Sequence, residues 1–459
     1  MNPNKPFGLG DKVGYALGDF GNDFTFMLST MFLMKFYTDV MGVSAALVGL
    51  MMMLCRFIDA FTDVTMGQIV DRSKTRKNGK FRPWILRMMG PVAVASILMY
   101  AVWFKDMPMG FKIVWMFGSY ILWGSVCYTG VNIPYGSMAS AITSDPKQRS
   151  ELSTWRTLGA TAAATACGVV LPMLIYYRDA EGHMALNGST LSIAAVVCSA
   201  LAVLCYVLCY ALTTERVKLE TTTGKFNLGE LGKSLVTNRS LIGIVVAALV
   251  FLLAQLSLSG MLSYIFPNYF GSGSGQSMAN LVGTAVTLVC SFFAVPLSAK
   301  IGKKELGIIA SIIGTVVLVV AFFVHTKSMT TFTVFYALAY IALAVFNLII
   351  WAMITDVIDD TEVKTGKRSD GTIYAIYSFA RKLGQACSSG LSGLLLSMIG
   401  YSAATAFDPD VVDGIYNITC IAPAIGFALL ALALFFLYPL KKSVVEENAR
   451  ILAERRSKQ

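Results

Sequence analysis

Charge is what this sequence has least of: only 14% of its 459 residues are Asp, Glu, Lys or Arg, against 56% hydrophobic. A soluble domain carries about a quarter charged residues, so a water-soluble globular fold is excluded. Histidine is nearly absent, with His183 and His325 alone, both in or beside polar breaks near segment ends. That argues against a buried histidine proton relay and a histidine-ligated metal centre. The nine cysteines fall almost entirely inside apolar segments, where a thiol behaves as a small buried hydrophobe. Cys205 and Cys209 stand one helical turn apart with no His or Asp beside them, so no metal or other cofactor is expected. A signal peptide is not evident either, because MNPNKPFGLGDK is polar and the first apolar stretch is too long for a leader.

What is abundant is long apolar segments, many of them near the roughly 20 residues that span a bilayer. Twelve are expected, at about 14–38, 43–70, 82–104, 111–141, 150–176, 190–212, 238–268, 277–299, 305–326, 331–357, 371–400 and 412–438. The expected fold class is therefore an all-α polytopic membrane protein. Lys and Arg crowd alternate loops, above all in DRSKTRKNGKFR at 71–82, which places both termini in the cytoplasm. The net charge of +10 follows from these loops, with the lipid bilayer as their partner. No basic-aromatic patch for nucleic acid occurs. The polar stretch 213–237 divides the chain into a six-helix bundle over 1–212 and another over 238–440, followed by a tail at 441–459. The basic loop 67–82 has a shorter counterpart, AKIGKKELG at 299–307, a weak internal repeat of the kind carriers with two halves show. The tail reads as a short solvated or surface helix.

Against this background, charges inside the segments stand out. A charge at the bilayer centre costs roughly 2.5–3.5 kcal/mol, so it marks function by default. Lys35, Asp39 and Lys105 lie near segment ends and read as snorkelling side chains. Arg56, Asp59 and Asp63 do not: spaced by three and then four, they share one helix face. At 1.5 Å per residue Asp63 lies roughly 10 Å deep and Asp59 roughly 16 Å. Asp23 (with Asp19 one turn before it), Asn132, Arg156 and Lys382 fall at roughly 9–16 Å. Acids on segments one and two with bases on five and eleven make a charge-compensated cluster drawn from both halves. The plain alternative is a set of structural ion pairs fixing helix packing, which suits Asp19 best. Asp356, Asp359, Asp360 and Glu362 face Lys364, Lys367 and Arg368 at one end of segment ten and read as gate ion pairs. Trp351 and Tyr377 are placed to stack on a ring face or, equally, simply to pack. An intramembrane aspartyl enzyme is the rival class, but ALGD at 16–19 has Ala16 where that motif needs Gly, and no Tyr-Asp partner motif follows. No enzyme is expected.

The stretches GYALGDFGNDF, FYTDVMGVSAALVG, RFIDAFTDVTMGQIVDR, GKFRPWI, VNIPYGSMA, ITSDPKQRSELSTWR and DVIDDTEVKTGKRSDG together resemble the glycoside–pentoside–hexuronide:cation symporters of the major facilitator superfamily. The resemblance implies two six-helix bundles with a sugar site between them, transport coupled to H⁺ or Na⁺, a monomer, and a bacterial inner or plasma membrane. Compared with the melibiose carrier of that family, Asp59 and Asp63 match the cation-site carboxylates, Thr62 replaces an Asn, and Thr129 matches a hydroxyl near the cation. Asp23 matches the sugar-binding acid, Arg156 a basic residue near the cavity and Lys382 the helix-eleven lysine, which is expected to link sugar and cation sites. Asn132 stands where that carrier has a second sugar-binding aspartate. With Arg381 beside Lys382, this implies an anionic glycoside such as a glucuronide, with a neutral glycoside or xyloside as the alternative. Two carboxylates one turn apart repel when both are ionised, and a cation between them relieves that repulsion. Arg56 and Asp19 are expected to tune this coupling.

Overall fold

The computed structural model describes residues 6–73, 75, 78–217, 238–366 and 370–457, which are mostly helical. By their contacts they sort into two units. The first holds Met1–Gly224, Gly271–Ser277 and Gly393–Val411; the second holds Lys225–Phe270, Met278–Ser392 and Val412–Gln459. In chain order the helices are α1 (Leu9–Lys35), α2 (Ala45–Arg72), α3 (Arg82–Met99), α4 (Met109–Ile121), α5 (Thr129–Ile142), α6 (Pro146–Ile175) and α7 (Gly188–Leu212). There follow α8 (Arg239–Tyr264), α9 (Gly273–Ile301), α10 (Lys303–Val324), α11 (Met329–Thr365), α12 (Asp370–Met398), α13 (Pro409–Leu432) and α14 (Lys442–Ser457). A π turn, Leu122–Tyr128, joins α4 and α5 into one rod. A short hairpin that the sequence did not announce, Tyr176–Arg178 paired with Met184–Leu186, links α6 to α7.

Nine helices among the described residues are long and apolar enough to cross a membrane. Three further long stretches fall outside that set: α1, the interrupted α4–α5 rod, and α12. These carry Asp19 and Asp23, Thr129 and Asn132, and Arg381 and Lys382 respectively.

In the first unit α1 packs closely on α6. A Cβ at Gly159 would stand 2.2 Å from the Ala16 carbonyl oxygen, so only glycine permits this approach. Asp145 caps α6 by accepting from Lys147 N–H at 2.9 Å, with Pro146 at the first helical position, where no N–H is needed. The N-terminus of α3 is capped from afar. Glu215, 1% exposed, accepts from the N–H groups of Lys80 (2.6 Å), Phe81 (2.9 Å) and Arg82 (2.7 Å). These are donors that a helix start leaves unpaired. Asp11 in turn accepts from Thr214 N–H at 3.0 Å and pairs with Arg216 at 2.8 Å, tying the start of α1 to the end of α7.

Lys35 corrects an expectation. It is 1% exposed and does not snorkel: its Nζ lies 3.1 Å from Asp39 and 3.2 Å from the Tyr401 hydroxyl, which donates to Asp39 at 2.8 Å. Asp39, one turn on, compensates the buried ammonium.

In the second unit Asp356 pairs with Lys303 at 2.6 Å. Asp360, 2% exposed, accepts from Ser240 (2.6 Å), Lys364 (2.7 Å) and Asn448 (3.2 Å). The tail, expected as a solvated or surface helix, is a helix packed on its neighbours. Asn448 anchors α14 on α11, Leu452 is buried at 3%, and Arg455 donates to the Glu362 and Val363 carbonyls at 3.3 and 3.1 Å. The Glu362 carbonyl also takes the Gly366 N–H at 2.9 Å, which closes the last turn of α11. Asp359 is half-buried, and Arg368 lies outside the described residues.

Candidate ion and substrate site

The spacing of Arg56, Asp59 and Asp63 on α2 turns them to one face, and that face meets the α4–α5 rod. Asp59, 8% exposed, accepts from the Ser125 hydroxyl at 2.5 Å. Asp63 accepts from the Thr129 hydroxyl at 2.7 Å. The two carboxylates stand four positions apart on α2, and the two hydroxyls stand four positions apart on the rod. The result is two carboxylate–hydroxyl rungs about one helical turn apart. Arg56 Nη1 stands 3.8 Å from Asp59 Oδ2, and its guanidinium lies 5.1 Å from the Phe26 ring centre. Asp59 therefore has a hydroxyl on one oxygen and a cation facing the other. Thr62 turns back to its own helix, donating to the Asp59 carbonyl at 3.2 Å. Sequence reasoning misses Ser125. Its only signal is its place four residues before Thr129, which mirrors the step from Asp59 to Asp63.

A second group lies on α1 and α6. Arg156 Nε is 3.2 Å from Asp19 Oδ1, and its guanidinium covers the Tyr135 ring at 5.4 Å. Tyr135 is held in turn by stacking on Tyr15 at 4.7 Å and by donating to the Tyr15 carbonyl at 2.6 Å. Asp23, one turn beyond Asp19 and half-buried, lies within the electrostatic reach of both Asp19 and Arg156. Its neighbour Asn22 is oriented by the Tyr206 hydroxyl at 2.7 Å. Asn132 sits half-buried on α5. Asp19, Asp23 and Arg156 thus come together, whereas Asp59 and Asp63 meet the rod.

A third group belongs to the second unit. Arg381 on α12 lies over the Trp351 ring at 5.4 Å and beside the Tyr377 ring at 6.0 Å, and the two rings meet edge to face at 5.3 Å. Trp351 is 45% exposed and Tyr377 1%. Lys382, half-buried, follows on the same helix.

Chemically, the first group can hold a cation between acids, the second can accept and donate to hydroxyls, and the third can face an anion. Comparison with known proteins gives these groups a setting. The family model described as MFS/sugar transport protein matches residues 14–442. The chain is 33% identical to the glucuronide carrier protein homolog of Escherichia coli (strain K12) over 449 residues, 95% of each chain. It is 30% identical to the isoprimeverose transporter of Lactiplantibacillus pentosus over 441 residues, covering 93% of this chain and 88% of that one. Among solved structures it resembles a bacterial homolog of the human lysosomal transporter Spinster, with a TM-score of 0.66 at 14% identity over 94% of this chain and 96% of that one, a likeness of fold alone.

Proposed function

We propose that this protein, which belongs to the MFS/sugar transport protein family and is a multi-pass sugar/cation symporter rather than an enzyme, carries an anionic glycoside inward. The coupling ion, H⁺ or Na⁺, binds at Asp59 and Asp63, with Thr129 beside them. Asp23 accepts sugar hydroxyls, and Arg156, held by Asp19 and Tyr135, supports that acid. The polar stretch 213–237 separates the six-helix halves.

The observation that carries the anionic reading is the Arg381 guanidinium lying over Trp351. A guanidinium grips a carboxylate or sulfonate through paired hydrogen bonds, and stacking on an aromatic face holds its plane ready. The name of one relative, a glucuronide carrier, points the same way. A neutral glycoside is the second reading, favoured by the name of the isoprimeverose transporter.

Coupling follows from the charges. An unoccupied Asp59–Asp63 pair repels itself, and an ion entering it relieves the repulsion. If the ion raises affinity for sugar, sugar must raise affinity for the ion by the same factor. Uptake into vesicles, with 4-nitrophenyl glucuronide and 4-nitrophenyl glucoside as competitors, tests the substrate. Stronger inhibition by the glucuronide is expected; stronger inhibition by the glucoside would establish the neutral reading instead.

A further inference from the structure

The π turn Leu122–Tyr128 interrupts the rod beside the α2 carboxylates. Such bulges recur at functional sites because they re-aim side chains and free a carbonyl. Here the Gly124 carbonyl accepts the Thr129 N–H and stands 3.1 Å from the Thr129 hydroxyl, whose single proton goes to the nearer Asp63. The Asp59 carboxylate lies against the rod at Gly124: a Cβ there would make ordinary contacts of 3.4 and 3.5 Å with its two oxygens. Ser125, 4% exposed, donates to Asp59 Oδ1 from the next position. A hydroxyl has one proton and two lone pairs, so giving the proton to Asp59 leaves lone pairs for a cation.

We propose that Ser125 belongs to the coupling-ion site, orienting the Asp59 carboxylate and offering its own oxygen to the ion. This rests on the reading of Asp59 and Asp63 as that site. Two oriented carboxylates and two hydroxyls then supply oxygens of the kind that a hard cation takes in place of water. Thr62, turned back to its own helix, is not required for this set. Ser125 is a positioning and liganding residue, and its loss weakens ion binding while leaving sugar recognition on α1 and α6 untouched.

The test uses full-length protein in detergent, titrated with NaCl, with LiCl and with acid at constant ionic strength. Tryptophan fluorescence is the readout, with buried Trp123 two residues from Ser125. Ser125→Ala is expected to raise the half-saturating concentration of the coupling ion about tenfold or more, the size of losing a hydrogen bond to a charged group. Ser125→Thr, which keeps the hydroxyl, is expected to stay close to the parent. Asp59→Asn is expected to abolish the response. If Asp59→Asn responds like the parent, or the parent responds to none of the three ions, the ion-site reading falls and this inference with it. If Asp59→Asn is silent but Ser125→Ala keeps the parent's half-saturation, the ion site stands and Ser125 is removed from it. A lowered unfolding temperature in Ser125→Ala with unchanged half-saturation removes it likewise, since that is a packing role alone.

Discussion

Arg156 Nε lies 3.2 Å from Asp19 Oδ1, joining α6 to α1 one helical turn from Asp23. The carboxylate is nearly buried while the guanidinium is about two-fifths exposed, so losing the base leaves a mostly buried acid without this partner. Arg156→Gln and Asp19→Asn should each destabilise the protein. The double variant should recover part of the loss, with a coupling of about 1–2 kcal/mol in a thermal double-mutant cycle. Additive losses would mean that the pair does not act as a unit. Asp23→Ala, by contrast, should lose sugar binding while keeping the ion-dependent fluorescence change.

Asp63 is the second rung, held by Thr129 at 2.7 Å. Asp63→Asn keeps the shape and an acceptor oxygen but removes the charge that a cation needs. Uphill accumulation in vesicles with an imposed ion gradient should disappear, whereas entry down a sugar gradient should persist. Concentrative uptake at the parent rate would take Asp63 out of the ion site.

The charged part of the site is readable in the sequence because a carboxylate or guanidinium within an apolar run has few explanations. Arg56, Asp59, Asp63, Asp23 and Arg156 all stand out in this way. Ser125 does not, because LWGSVCY looks like any apolar stretch and the π turn that aims its hydroxyl leaves no mark in composition. Lys35 misleads for a different reason. Depth along a helix says nothing about a partner, and Tyr401 lies 366 residues away in the chain. Glu215 sits at the edge of a polar stretch that reads as linker, yet it caps a helix start whose first residue is 133 positions earlier. Long-range polar contacts of this sort depend on the finished packing, which hydrophobic periodicity reports only in outline.

Gly79 provides a test of that distant cap. Its φ of +108° suits glycine, and a Cβ would stand 2.5 Å from the Glu215 carboxyl carbon. Gly79→Ala should therefore push Glu215 off the three N–H groups it satisfies and cost about 2–4 kcal/mol, from strain and lost capping together. Glu215→Gln keeps one acceptor oxygen and should cost less. Thermal unfolding in detergent measures both, and a larger loss in Glu215→Gln than in Gly79→Ala would contradict the arrangement.

Charge selection in the second unit is the sharpest functional test. Arg381 is adjacent to Lys382, and consecutive helix residues point about 100° apart, so the two cannot serve the same direction. Arg381 takes the direction of Trp351 and Tyr377. Arg381→Gln should weaken competition by 4-nitrophenyl glucuronide about tenfold to a hundredfold while leaving the glucoside unchanged, the range of one charged hydrogen-bonded contact. Arg381→Lys should restore little of it, because an ammonium does not offer a paired fork to the carboxylate. Trp351→Ala should weaken the glucuronide less than Arg381→Gln does, since it removes the stacking support and leaves the charge. Equal effects of Arg381→Gln on both glycosides would show that the guanidinium holds the helices rather than reading the substrate's charge.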